Sequence, residues 1–205
     1  AEKYGFRVVP KLFVPGVFDE KFDVVYSYGC VEHLPDLEAF FSASRSCLEE
    51  GGLMFHVVPN SEIFFEAGSL GHLVHEHINY LSPANGIRLF DAQGFKNVGA
   101  KLNRAGNELM LWGYYDSNAN PRSLAEVVSL EANKLATYAD RLAKNDDTVM
   151  CGLQSLMATG KSIGFYAGGF DYGWRLQDQS IRYFDGDSSK HGKCWLKGLG
   201  PIESP

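Results

Sequence analysis

The chain has 205 residues, 45% of them hydrophobic and 21% charged, and a formal net charge of -6. That is the balance of a globular protein with one large or two small domains and a buried core. A net negative surface is a poor partner for phosphate backbones, no apolar run approaches the roughly 18 residues of a membrane span, and no signal-peptide pattern opens the chain.

In chain order, Phe6 to Val9 predicts a short strand. Phe22 to Tyr28 predicts a clearer one, rich in branched and aromatic residues. A helix is expected from about Asp36 to Glu50, with Leu37, Phe40, Phe41 and Leu48 on one face and Gly51-Gly52 as its stop. Leu53 to Val58 is an almost unbroken apolar run, as expected of a strand buried on both faces of a parallel sheet. Ser61 to Tyr80 is less regular. A helix follows from Pro83 to Gln93, with Ile87, Leu89 and Phe90 as core candidates and Gly94 as its stop. Strands around Phe95 to Ala100 and Glu108 to Tyr115 complete the first half as an antiparallel edge.

Turn formers at Ser117 to Pro121 mark a boundary, giving domains at 1–117 and 121–205. Ser123-Leu124-Ala125-Glu126 has capping-box form and opens a helix to about Lys144. A second helix runs from Thr148 to Thr159, capped by Gly160. Ser162 to Ala167 predicts a strand, Gly168-Gly169 a turn, Tyr172 to Gln177 a helix opening, and Ile181 to Phe184 a strand ending at Asp185. The residues at each end read like fragments of further elements, so a chain cropped at both ends is expected, with a processed chain as the alternative. Cys30, Cys47, Cys151 and Cys194 are far apart and form no Cys-x-x-Cys pair, which suits reduced thiols in a cytoplasmic protein.

Three consecutive features resemble the middle of a class I S-adenosylmethionine-dependent methyltransferase. The strand Phe22 to Tyr28 leads into Val31-Glu32-His33-Leu34-Pro35-Asp36; an amphipathic helix follows; Glu50-Gly51-Gly52 then leads into a strand closing at Val58-Pro59-Asn60. The resemblance implies that Tyr28, Gly29, Cys30, Glu32 and His33 line the cofactor side of the pocket, outside the carboxyl end of a strand. The family's first strand and its glycine-rich loop are absent, and no Gly-x-Gly occurs in the first 50 residues. The chain as it stands is therefore expected to bind S-adenosyl-L-methionine poorly.

Gly71 to Ser82 holds three of the six histidines. Its His75, Glu76, His77, Tyr80 and Ser82 are similar to the His-Glu-His-x-x-Tyr-x-Ser segment of nucleotide-sugar C-methyltransferases. Methylation at carbon needs a base to remove a proton beside a ketone, and histidine suits that work. The resemblance implies His77 as the base with Glu76 as its support, and His75, Asn79, Tyr80 and Asn107 on the substrate side. A purely structural role remains open for the histidines. No metal site is expected, since no helical His-x-x-x-His pair is present.

The second half resembles the same enzymes at Gly164 to Gly169, Phe184 to Asp187, Lys190 to Lys193 and Pro201-Ile202. It departs from them at Val74, at Arg104 to Glu108 and at Phe170 to Gly173. The glycines of that half do not spell Gly-x-Gly-x-x-Gly, although Asp185 stands where an acid could hold a ribose. The expectation is α/β throughout: an incomplete Rossmann-like methyltransferase sheet without its first strands, a helical linker, and a second small α/β unit. The expected activity is methyl transfer to a small molecule, a nucleotide-linked sugar first. Methylation of oxygen or nitrogen on another metabolite, a non-catalytic nucleotide-binding module and a nicotinamide enzyme are the alternatives.

Overall fold

The computed structural model describes residues 2–74, 76–124, 132–166, 175, 176, 178, 180–194 and 200–205. The chain divides into two compact units, Ala1–Leu142 and Ala143–Pro205.

The first unit is built on four strands, β1 (Phe22–Tyr28), β2 (Leu48–Pro59), β3 (Phe95–Leu102) and β4 (Glu108–Tyr115), in the order β1-β2-β4-β3. β1 and β2 are parallel, joined through α1 (Leu37–Cys47), whereas β4 runs antiparallel to β2 and to β3. Parallel neighbours need a crossover, and a helix supplies it. Asp36 starts α1 by accepting the Ala39 amide at 2.8 Å. α3 (Pro83–Ala92) opens with a capping box: Ser82 Oγ accepts the Asn85 amide and Asn85 Oδ1 accepts the Ser82 amide. Ser82, part of the His-Glu-His resemblance, therefore has a structural task. The core gathers Phe40 and Phe41 of α1, Leu89 and Phe90 of α3, and Met54, Val58, Leu109 and Leu111 of the sheet. Arg45, at the end of α1, donates to the Gln93 carbonyl at 2.9 Å, and Gln93 donates to the Arg122 carbonyl at 3.0 Å.

Several expected elements are corrected. Among the described residues, Phe6 to Val9 pairs with no strand, and Phe6 is 67% exposed. The first helix stops at Cys47 instead of Glu50, because Leu48 already pairs with Phe22; Gly51-Gly52 falls within β2, where the register with β1 shifts. Leu53 to Val58 is fully buried on one face only: Met54, His56 and Val58 point inward, while Leu53, Phe55 and Val57 are half-buried. β1 lies at the sheet edge with Val24, Tyr26 and Tyr28 exposed. Ile87 faces outward. The irregular stretch contains a short helix, α2 (Ser61–Glu66), and a 3-10 turn at Leu70–His72.

α4 (Ala132–Ala158) is one unbroken helix where two were expected. Ala125 and Glu126 of the proposed capping box lie outside the described residues, as do Gly168, Gly169 and Tyr172 to Gly173. In the second unit β5 (Gly164–Tyr166), β6 (Arg182–Phe184) and β7 (Ile202–Glu203) form a parallel sheet in that order, with Ile181, Tyr183 and Ile202 as its core. The α/β class holds for both units.

Candidate functional site

Tyr28 ends β1 beside Val57, and Pro59 ends β2 opposite Glu108, the first residue of β4. These ends form one rim, the carboxyl edge where open α/β sheets hold ligands. Gly29 turns the chain there with φ +58, a region that suits glycine, and its amide donates to the Val57 carbonyl at 3.0 Å. A 3-10 turn, Val31–His33, follows with Val31 and Glu32 buried. Burial, followed by the nearby Glu32, pushes the Cys30 thiol up from its ordinary pKa. The exposed Tyr28 hydroxyl donates to Glu108, and that bond and the carboxylate charge raise the phenol pKa.

A second segment is stitched to this turn across the rim. The Glu32 carbonyl accepts the Ile78 and Asn79 amides at 2.9 and 3.0 Å. The Asn79 side-chain amide donates to the carbonyls of Val31 at 2.9 Å and Leu34 at 2.7 Å. Asn79, expected on the substrate side, thus has both amide hydrogens committed to holding the turn. The His33 ring approaches the His77 ring with centroids 4.9 Å apart. His33 Nδ1 lies 2.9 Å from the Glu76 carbonyl, and His77 Nδ1 lies 3.3 Å from the His72 carbonyl. A carbonyl only accepts, so each Nδ1 carries a hydrogen, and each neutral ring presents Nε2 as its lone pair. Glu32 has a side chain only 5% exposed, with Oε1 3.7 Å from His33 Nε2. Its Oε2 is buried without a hydrogen-bond partner among the described residues.

The remaining expected residues distribute around this cluster. Glu76 is exposed, and its main-chain carbonyl is what engages His33. Tyr80 packs its ring on His72 and Phe65 at 5.3 and 5.6 Å. Asn107 stands on the far side of β2, where its carbonyl accepts the Asn60 amide at 2.9 Å and its Oδ1 accepts from Asn103. His75 lies outside the described residues. The structure therefore brings Gly29, Cys30, Glu32 and His33 together with His77 and Asn79, and sets Tyr28 and Asn107 along the same rim.

Two histidines acquire tasks that sequence reading did not assign. His72 is buried, stacks on Phe64 at 4.5 Å and meets Ser61 Oγ through Nε2 at 2.9 Å. Burial, with His77 adding to it, lowers its pKa to about 4. The aromatic pair Phe64-Phe65, seven residues before His72, was the available signal. His56 sits inside the core with Nδ1 2.7 Å from Ser27 Oγ, and burial lowers its pKa to about 3.

In the second unit, Asp185 follows β6. Its Oδ1 accepts the Asp187 amide and its Oδ2 accepts from Lys190 Nζ, each at 2.8 Å. Both oxygens are engaged inside the unit, which leaves little of this carboxylate for a ribose. The Lys190 bond comes first among the causes that lower its pKa.

Residues 3–100 match a family model described as a methyltransferase domain, and that span contains the rim from Tyr28 to Tyr80. No curated protein matches the chain. Among solved structures, the chain is similar to DhpI in its complex with SAH at 18% identity and a TM-score of 0.35, over 49% of this chain and 50% of that one. An O-methyltransferase family protein from Burkholderia thailandensis aligns at 15% identity and a TM-score of 0.35, over 49% and 32%. A possible exported protein from Bordetella parapertussis aligns at 12% identity and a TM-score of 0.36, over 47% and 40%. The chain spans half or less of the length of each. Among the described residues, no helix is long and apolar enough to cross a membrane.

Proposed function

We propose that this chain is part of an S-adenosylmethionine-dependent methyltransferase acting on a small molecule, with a nucleotide-linked sugar as the first substrate to test. The observation that carries the reading is the convergence of Glu32, His33 and His77 at the carboxyl edge of the sheet, inside the span matched by the methyltransferase domain. A methyl acceptor must lose a proton as it attacks. His77 offers Nε2 for that proton, because the His72 carbonyl holds its Nδ1 hydrogen. Deep burial keeps His72 itself neutral, so it acts as a fixed support.

S-adenosyl-L-methionine, when bound, supplies the activated methyl group. Tyr28, Gly29, Cys30, Glu32 and His33 are the residues that would face it. The fit rests on the open turn at Gly29, with only Glu32 Oε1 at 3.7 Å from where a side chain would begin, and on the unpartnered Glu32 Oε2. Without a glycine-rich loop the grip of these residues alone is weak.

The test is calorimetric titration with S-adenosylhomocysteine, on this chain and on a form extended upstream. Weak or no binding by the chain and clear binding by the extended form is the expected result. His77→Gln in the extended form should keep that binding and lose methyl transfer to the sugar nucleotide. Binding by neither form overturns the reading.

A further inference from the structure

We infer that Glu32, His33 and His77 form a binding site for a divalent transition-metal ion. One donor atom from each residue lies within 4.8 Å of the other two. The set, two imidazoles and one carboxylate, is the one that borderline cations such as Zn²⁺ or Co²⁺ take while keeping a position open for another ligand.

Three observations converge. The buried Glu32 Oε2 has no hydrogen-bond partner among the described residues. Leaving a carboxylate oxygen sealed and unpaired is costly, and a cation is the partner that removes the cost. Both imidazoles have Nδ1 on a main-chain carbonyl, His33 on Glu76 and His77 on His72. That arrangement fixes the ring tautomer and leaves Nε2 bare, as outer hydrogen bonds do for metal-bound histidine. Finally, the backbone around the donors is held by Asn79, which ties the turn carrying Glu32 and His33 to the segment carrying His77.

Donors at about 2.1 Å from a tetrahedral ion stand about 3.4 Å apart, so the widest gap of 4.8 Å must close on binding. Glu32 is fixed by burial, but His33 is 38% exposed at its side chain and His77 is half-buried. Small tilts of those two rings, with each Nδ1 kept on its carbonyl, supply the movement. The donors come from two loops more than 40 residues apart in sequence, about 33 and 77, so no local spacing announces the site. An ion there occupies the lone pair that His77 otherwise offers to a methyl acceptor. The metal-loaded form therefore has no base at His77 to take the acceptor's proton.

The test is titration of the chelator-stripped chain with Co²⁺ at neutral pH, followed by calorimetry and by the visible absorption of the ion. One equivalent should bind with the absorption of a four- or five-coordinate centre. H33Q, H77Q and E32Q should each weaken it by at least ~10-fold, with folding checked by circular dichroism. His191→Gln, in the second unit, should leave it unchanged. No saturable binding, or binding that survives all three substitutions at the cluster, overturns the assignment. The titration needs no cofactor. A chain that takes Co²⁺ but whose extended form ignores S-adenosylhomocysteine sinks the methyltransferase reading alone, and the opposite result sinks the metal site alone.

Discussion

His56 makes the first unit acid-sensitive in a way that one substitution should remove. It lies on β2 among Phe40, Phe41 and Phe90, 1% exposed, with its Nε2 unpartnered among the described residues. Burial lowers its pKa from 6.5 to about 3. The unfolded chain therefore takes up a proton at this side chain that the folded chain refuses. The stability held by the neutral ring is complete above pH 6.5 and is lost as the pH falls from there toward 3. One pH unit below the unfolded value costs about 1.4 kcal/mol, so moving from about pH 7 to about pH 5 should cost about 2 kcal/mol from this group. His56→Leu keeps most of the volume and removes the titration. Ser27 loses its partner, but it is half-buried and can turn to water. The assay is urea denaturation at both pH values, with hydrogen exchange of the 48–59 peptide reporting on the first unit. The wild-type protein should lose about 2 kcal/mol more than the variant over that interval. Parallel pH dependence in the two proteins would refute the argument that the buried ring stays neutral.

Gly113→Ala should lower the melting temperature, with a cost of ~1–3 kcal/mol. The added carbon would stand 2.8 Å from Phe95 Cβ and 3.0 Å from the Phe90 ring, and both neighbours are buried. An unchanged melt would mean the core yields there. Asn79→Ala should cost ~1–3 kcal/mol by stranding the Val31 and Leu34 carbonyls. Hydrogen exchange should speed up in the 28–35 turn while β3 and β4 stay protected; a uniform change across the unit would argue against a local clamp.

Local pattern was enough for the elements whose signals are short-range. β1 follows from a branched and aromatic run, and β1 and β4 both occur at the expected residues. α3 follows from Pro83, its apolar spacing and Gly94, which adopts the positive φ expected of a helix stop. The tight turn after β1 was legible from Gly29, which adopts a positive φ there; its place beside a cofactor is what the resemblance implies.

What failed depended on partners that are distant in sequence. Gly51-Gly52 looks like a helix stop, yet Leu48 is claimed by Phe22 of the neighbouring strand, so the helix ends earlier and the glycines fall inside β2. Phe6 to Val9 has strand composition but no strand to pair with among the described residues. The base-and-support reading of His77 and Glu76 rests on the resemblance, and nothing in the local sequence shows what either residue meets. In the fold, Glu76 offers a carbonyl to His33, and the rings of His33 and His77 are brought to 4.9 Å. Residue types and periodicity alone determined the α/β class, the places of β1, β4 and α3, and the imidazoles available for chemistry. Only the tertiary structure decided which of those side chains meet, because hydrogen bonds from the Asn79 side chain, and from the Ile78 and Asn79 amides to the Glu32 carbonyl, close a loop of more than 40 residues, from about 32 to 79, that no local spacing encodes.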